Sequence, residues 1–190
     1  MGKIILSISM SLDGFVAGTN ISPQLPLGEN GERLHDWIFA RKTDADAKIV
    51  EELMTASGVV IVGRNTYDAG IDGGWGGSSP FPMPAIIVSK TVPEELVEGF
   101  IFQCGIDNTL AKAKEIAGDK DIWVMGGANI AQQFISADHL DEIQINLAAI
   151  LLGSGIRLFE DTGHLTDLEI IRIIETPAAT HIKYSVKGKS

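Results

Sequence analysis

Apolar residues along this chain fall into short runs, and each run ends in glycine, proline or a polar turn. Residues Lys3 to Met10 read as a strand, β-branched and apolar enough for the inside of a sheet. From Ser11 to Gly31 the pattern breaks into a long, turn-rich loop with Asp13-Gly14, Gly18, Pro23, Pro26 and Gly28. Phe15, Val16, Ile21 and Leu25 are its apolar anchors, so an ordered loop over a site is expected.

A helix is predicted from Trp37 to Ser57, with a break near Arg41. Thr43 with Asp46 makes an N-cap box, Ile49, Val50, Leu53 and Met54 form one face, and Gly58 ends it. A strand over Val59 to Val62 follows. Gly70 to Pro84 is loop, Ala85 to Ser89 a strand and Phe100 to Gln103 a short strand. A helix from about Asn108 to Ala117, capped by Asp107 or Asn108, closes at Gly118. The buried strand Ile122 to Met125 stops at Gly126-Gly127, and Ile130, Ala131, Phe134 and Ile135 then repeat with helical spacing. Ile143 to Leu147 is another strand, and Ile150 to Phe159 a glycine-interrupted connection. Leu168 to Glu175 and Thr180 to Val186, separated by Thr176-Pro177, read as an antiparallel hairpin. Strands alternating with helices predict an α/β fold whose mostly parallel sheet is sandwiched by helices, with an antiparallel pair at one edge.

Composition narrows this picture. At 190 residues, with no internal repeat or linker, the chain fits one domain over 1–190. A hydrophobic content of 45% supports a sizeable core. The net charge of -10 argues against nucleic acid or an anionic membrane as partner, but not against a phosphorylated ligand in a local basic pocket. The single cysteine, Cys104, excludes an internal disulfide and is expected in a strand as a small core residue. The Met1-Gly-Lys-Ile-Ile-Leu-Ser start is too interrupted for a signal peptide and no run reaches membrane-spanning length, so a cytoplasmic protein is expected.

The candidate chemistry lies at two strand–glycine junctions. In Trp123-Val-Met-Gly-Gly-Ala-Asn-Ile130 a strand meets two glycines and a helix begins at once. Such a turn admits close backbone approach and aims free N–H groups and the positive helix dipole at an anion. In Val59-Val-Ile-Val-Gly-Arg-Asn-Thr66 a second strand runs into a cation and a hydroxyl suited to phosphate oxygens. Two such junctions point to a nucleotide cofactor.

In this order the landmarks resemble the dihydrofolate reductase fold, a three-layer sandwich. Within it they resemble the reductase domain of riboflavin biosynthesis, the C-terminal half of bifunctional deaminase-reductases. Ser9-Met-Ser-Leu-Asp-Gly-Phe-Val-Ala-Gly18, Val60-Ile-Val-Gly-Arg-Asn-Thr-Tyr67, and Val124-Met-Gly-Gly-Ala-Asn-Ile130 with Leu151-Leu-Gly-Ser-Gly-Ile-Arg-Leu-Phe159 carry the likeness. It implies an NADPH-dependent reductase that forms homodimers and acts on a small pyrimidine or pteridine. By the same resemblance Gly63, Arg64, Asn65 and Thr66 would hold the pyrophosphate and adenosine phosphate, and Ser89 and Lys90 the 2′-phosphate. Gly126, Gly127, Ala128, Asn129 and Ile130 would pass under the pyrophosphate, while the Ser9 backbone and Val16 would border the nicotinamide.

Two features depart from the family. Folate reductases carry a proton-relay carboxylate three residues before a tryptophan on the helix after the first loop; three before Trp37 is Leu34, and Asp36 is adjacent. The deaminase half is absent, since one cysteine cannot supply Pro-Cys-x-x-Cys.

Asp13 is an Asp-Gly turn on sequence alone and a catalytic carboxylate by resemblance. Asp36 is a solvated helix residue or a second catalytic candidate that the lid region could bring to the pocket. Asn146 is a candidate substrate contact, with an amide at the sheet edge as the plainer alternative. Trp75 either caps a ligand or anchors its loop. His35, His139, His164 and His181 share no ligand spacing, so no metal is expected. Asp44, Asp46, Glu51 and Glu52 read as a solvated helix face.

Overall fold

A computed structural model describes residues 2–160 and 165–188. In chain order its elements are β1 (Ile4–Ser11), β2 (Phe15–Ala17), a 3-10 turn (Gly31–His35), α1 (Asp44–Ala56), β3 (Ser57–Gly63), α2 (Arg64–Ile71), β4 (Ala85–Val88) and β5 (Phe100–Gln103). Then come α3 (Ile106–Ala117), β6 (Asp121–Gly126), α4 (Ala128–Ser136), β7 (Glu142–Ala148), β8 (Ile156–Arg157), β9 (Leu168–Glu175) and β10 (Ala179–Val186). Eight strands form one sheet in the order β5-β4-β3-β6-β1-β7-β10-β9. The pairs from β5 through β7 are parallel, and β10 runs antiparallel to both β7 and β9. The mostly parallel sheet and its antiparallel edge are therefore as the residue pattern predicts.

Successive strand residues point to opposite faces. On one face Leu6, Ile61, Ile86, Val124, Ile143 and Ile145 pack against Leu110 and Ala113 of α3 and Ala131 and Phe134 of α4. On the other, Val60, Val62, Ala85, Ile87 and Trp123 meet Tyr67 of α2, with Leu53 and Met54 of α1 against them. Strand β3 is thus apolar on both faces, which suits an inner parallel strand. Strands β1, β7 and β10 differ. Ser7, Ser9 and Ser11, then Gln144 and Asn146, then His181 form a buried polar stripe on the α1 side, with Ser9 opposite Asn146 and Asn146 opposite His181.

Several boundaries depart from the pattern. The helix predicted from Trp37 to Ser57 spans Asp44–Ala56, because its hydrogen bonding starts at the cap: the Asp46 amide donates to Thr43 Oγ1 at 3.3 Å and the Thr43 amide to Asp46 Oδ2 at 2.7 Å. Residues 36–41 are turns, and Trp37 is buried with Ala178 and Ala179. Gly58 does not end the helix; it lies inside β3, where a Cβ would come within 2.9 Å of the Ala117 Cα. Helix α3 starts at Ile106 with Gly105 as its cap at φ 78°, so Asp107 and Asn108 occupy its first turn. Cys104 is exposed in the bend after β5 rather than buried in a strand.

The long first loop is held by β2, which pairs with β8, and by Phe15 and Val16, which are buried; Ile21 and Leu25 are exposed at 41 and 43%. Trp75 anchors its loop, stacking 5.9 Å from Phe100 over Gly70. Asp46 is not on a solvated face but fully buried, whereas Asp44, Glu51 and Glu52 are exposed. His164 lies outside the described residues.

Candidate functional site

The two glycine junctions end the adjacent strands β3 and β6, at the carboxyl edge where open α/β sheets bind ligands. They interlock. The Gly127 N–H donates to Thr66 Oγ1 at 3.0 Å. A Cβ on Gly127 would meet that oxygen at 3.2 Å, and one on Gly63 would meet Ile130 Cγ1 at 2.9 Å. The peptide between Gly126 and Gly127 is cis, with Gly126 at φ 107°, a conformation open to glycine. Helices α2 and α4 start side by side here. Asn65 and Asn129 are exposed in their first turns, with Asn129 accepting from Gln133 at 2.7 Å, and Ala128 is buried beneath.

Beside this pair lies the basic spot. Arg64 Nε donates to both Asp68 oxygens at 2.7 and 2.8 Å, and its Nη1 to Ser89 Oγ at 3.3 Å and Thr91 Oγ1 at 3.2 Å. Arg64 and Ser89 are therefore in contact, and Lys90, next to Ser89 in the chain, is exposed. Side-by-side helix starts, glycine turns and a fixed guanidinium with a neighbouring hydroxyl fit the phosphates of a dinucleotide. Two cavities, of 470 and 180 Å³, lie at the amino ends of the strands, away from this edge.

Asp13 clamps the two loops that border the edge. Its carboxylate accepts from Ser11 Oγ at 2.6 Å and from the Leu152 and Gly153 amides at 2.9 and 2.7 Å. These bonds, led by that of Ser11, lower its pKa to about 2. These bonds hold the carboxylate in its ionised form. Asp36 stands in a turn 4.0 Å from Arg33, with no helix beneath it. Ser9 is buried and its Oγ accepts the Trp37 indole N–H at 3.0 Å; Val16 packs into the main core.

Asn146 is not at a sheet edge, since β7 lies between β1 and β10. It stands 2.8 Å from His181 Nδ1, and His181 Nε2 stands 2.9 Å from Asp46 Oδ1. The residue pattern singled out neither partner as a site group. Alternating polar and apolar residues in β1 and β7 are the nearest signal, and alternation alone does not tell a polar face under a helix from one in water.

The RibD C-terminal domain model matches residues 2–182. The chain belongs to that family. Among curated relatives it is 25% identical to the uncharacterized protein YyaP of Bacillus subtilis (strain 168), over 89% of this chain and 86% of YyaP. It is 27% identical to YwjB of the same organism, also uncharacterized, over 88% of each chain. A crystal structure from Shewanella sp. PV-4, of a protein whose name assigns it provisionally to riboflavin biosynthesis, superposes with a TM-score of 0.75 at 23% identity. That match covers 97% of this chain and 99% of the other, and it shows the fold. This RibD C-terminal domain is thus of a reductase family, and no helix among the described residues is long and apolar enough to cross a membrane.

Proposed function

We propose that this protein is an NADPH-dependent reductase of the riboflavin type, folded as one unit over 1–190. Its substrate would be a ribosylamino pyrimidine such as 5-amino-6-(5-phosphoribosylamino)uracil, with hydride added at the sugar C1′ and a proton at the released ring oxygen to give a ribitylamino chain. The interlocked turns carry this assignment: Thr66 of one holding Gly127 of the other beside the Arg64–Ser89 pair.

NADPH, when bound, supplies the hydride; orientation, exclusion of water and proton handling fall to the protein. Gly63, Asn65, Thr66 and Gly126 to Ile130 would hold the pyrophosphate. Arg64, Ser89 and Lys90 would hold the 2′-phosphate. Ser9 and Val16 would border the nicotinamide, and Asn146 would bind substrate. Asp13 acts here by fixing the loops, so Asp13→Asn slows turnover more than Asp36→Asn.

Titration of NADPH and NADH tests the cofactor. Charged hydrogen bonds contribute about 1.5–3 kcal/mol each, enough for a tenfold or larger preference for NADPH. A ratio near one, or a ratio unchanged in Arg64→Ala and Lys90→Ala, refutes the assignment. NADPH oxidation with the named pyrimidine then tests the reaction; binding without oxidation by any substrate would indicate a nucleotide-binding protein instead.

One observation favours pterin reduction as a second reading. The first long helix begins at Asp44, so Leu34 lies outside it, and a buried carboxylate, Asp46, occupies its first turn. Dihydrofolate turnover that disappears in Asp46→Asn would select this alternative. We also propose a cytoplasmic homodimer. The outer strand β9 exposes Ile170, Ile171 and Ile173 along a free edge, a template for a second copy. Ile171→Asp and Ile173→Asp together should yield a monomer in sedimentation with the fold intact.

A further inference from the structure

Asp46 on α1, Asn146 on β7 and His181 on β10 meet in the core at 0, 4 and 3% exposure. Trp37 closes the group, edge-on to the His181 ring at 4.7 Å. Burying polar side chains so completely is costly unless every donor finds an acceptor.

The protons can be counted. Asp46 Oδ2 accepts from the Thr43 amide at 2.7 Å and from its hydroxyl at 2.6 Å, so the carboxylate is ionised and Oδ1 takes the N–H of His181 Nε2. Burial pushes Asp46 upward, but the bonds from Thr43 and His181 more than offset this and leave its pKa lowered. Ring atom Nδ1 then has two states. In the neutral ring it bears a lone pair, and Asn146 must turn its NH2 toward it, leaving the amide oxygen free. In the imidazolium it bears a proton, Asn146 must turn its oxygen inward, and the NH2 is free. The amide oxygen and nitrogen exchange places by a half-turn, and Gln144, whose Nε2 donates to the Asn146 oxygen at 3.5 Å, has to turn with them. The amide nitrogen of Asn146 donates to no acceptor among the described residues.

We propose that His181 is a positioning residue whose protonation sets whether Asn146 offers substrate an acceptor or a donor. This rests on the reductase assignment and on Asn146 as its substrate contact. The charged groups around the ring are Asp46 from α1 and Arg172 from β9; Glu142, further along β7, is held by Lys3 and Lys183, and Trp37 carries no charge. Burial lowers the ring's pKa against the pull of Asp46. At neutral pH the ring is uncharged, Asn146 presents its oxygen, and the site selects a substrate with an N–H or O–H donor there. Acid reverses the preference.

Nitrogen-15 NMR of the free protein decides this without any substrate. Between about pH 4 and pH 8 the His181 ring and the Asn146 side-chain amide should titrate with one midpoint, and in His181→Gln the Asn146 signals should stop titrating. If His181→Gln does not fold, Asp46→Asn should move the shared midpoint to lower pH. With the named pyrimidine as probe, KM should change about tenfold across the midpoint while kcat changes little, and the change should vanish in His181→Gln. Asn146 signals that ignore the ring, or a KM profile identical in parent and His181→Gln, overturn the proposal. Failure of the parent to bind NADPH refutes the reductase assignment instead, and the NMR result still stands.

Discussion

The two halves of the sheet face α1 and α2 very differently. Under α2 and the later turns of α1, the strands β3, β4 and β6 present Val60, Val62, Ala85, Ile87 and Trp123 to a cluster of Tyr67, Trp75, Phe81 and Phe100. Under the start of α1, the strands β1, β7 and β10 present Ser9, Gln144, Asn146 and His181, equally buried. Apolar burial contributes about 25 cal/mol per Å², so the polar half forgoes stability that its neighbour gains. The polar groups retained at that cost include Asn146, the proposed substrate contact.

Breaking each half should reveal the asymmetry. The largest effect belongs to the apolar half: Ile87 is fully buried there, and Ile87→Ala should cost about 2–5 kcal/mol and lower Tm by about 10 °C, with ligand specificity unchanged. In the polar half, Asp46→Ala strands His181 and should cost about 3 kcal/mol in urea unfolding. Asp46→Leu with His181→Phe should recover much of that stability while removing substrate selection, because an apolar replacement of a buried polar pair is commonly neutral or better. A double variant less stable than Asp46→Ala would make the stripe structural and erase the contrast.

Acid sharpens it further. Burial lowers His35 to about 4 and lowers His181 as well. Both folded values lie below the unfolded one, so the neutral rings' contribution is complete above about pH 6.5 and lost as pH falls toward 4. A loss of about 2–3 kcal/mol over that window is expected from denaturant midpoints, and His35→Phe should flatten most of it. Asp13, Asp46 and Glu142, all lowered, begin to add their losses at the acid end of that window, near their unfolded values, and go on adding below it. The smallest effect is Trp37→Phe, which removes one donor to Ser9 and should cost about 1 kcal/mol.

The contrast also explains what the residue pattern conveyed. Apolar runs such as Val59 to Val62 and Ile122 to Met125 read correctly as buried strands because both of their faces meet helices. The glycine junctions were legible because their geometry is local. The polar stripe was not, because alternation in β1 and β7 looks the same whether the polar face meets water or a helix. Trp37 misled for a related reason: helical spacing does not distinguish a helix from a turn whose tryptophan wedges into a distant strand pair. Asp46 looked like one acid among several until the fold brought His181 of β10 to it.

Between Asp44 and Ile71 the chain passes from α1 to β3 to α2 without a single loop residue. One end of this segment carries Asp46 and the other carries Arg64 and Thr66, so both parts of the proposed site hang on one continuous beam. Adding or deleting one residue within either helix would turn everything beyond it by about 100° and shift it by about 1.5 Å. Relatives of this protein should therefore vary in length before Thr43 and after Asp72, while the span between them keeps a constant number of residues.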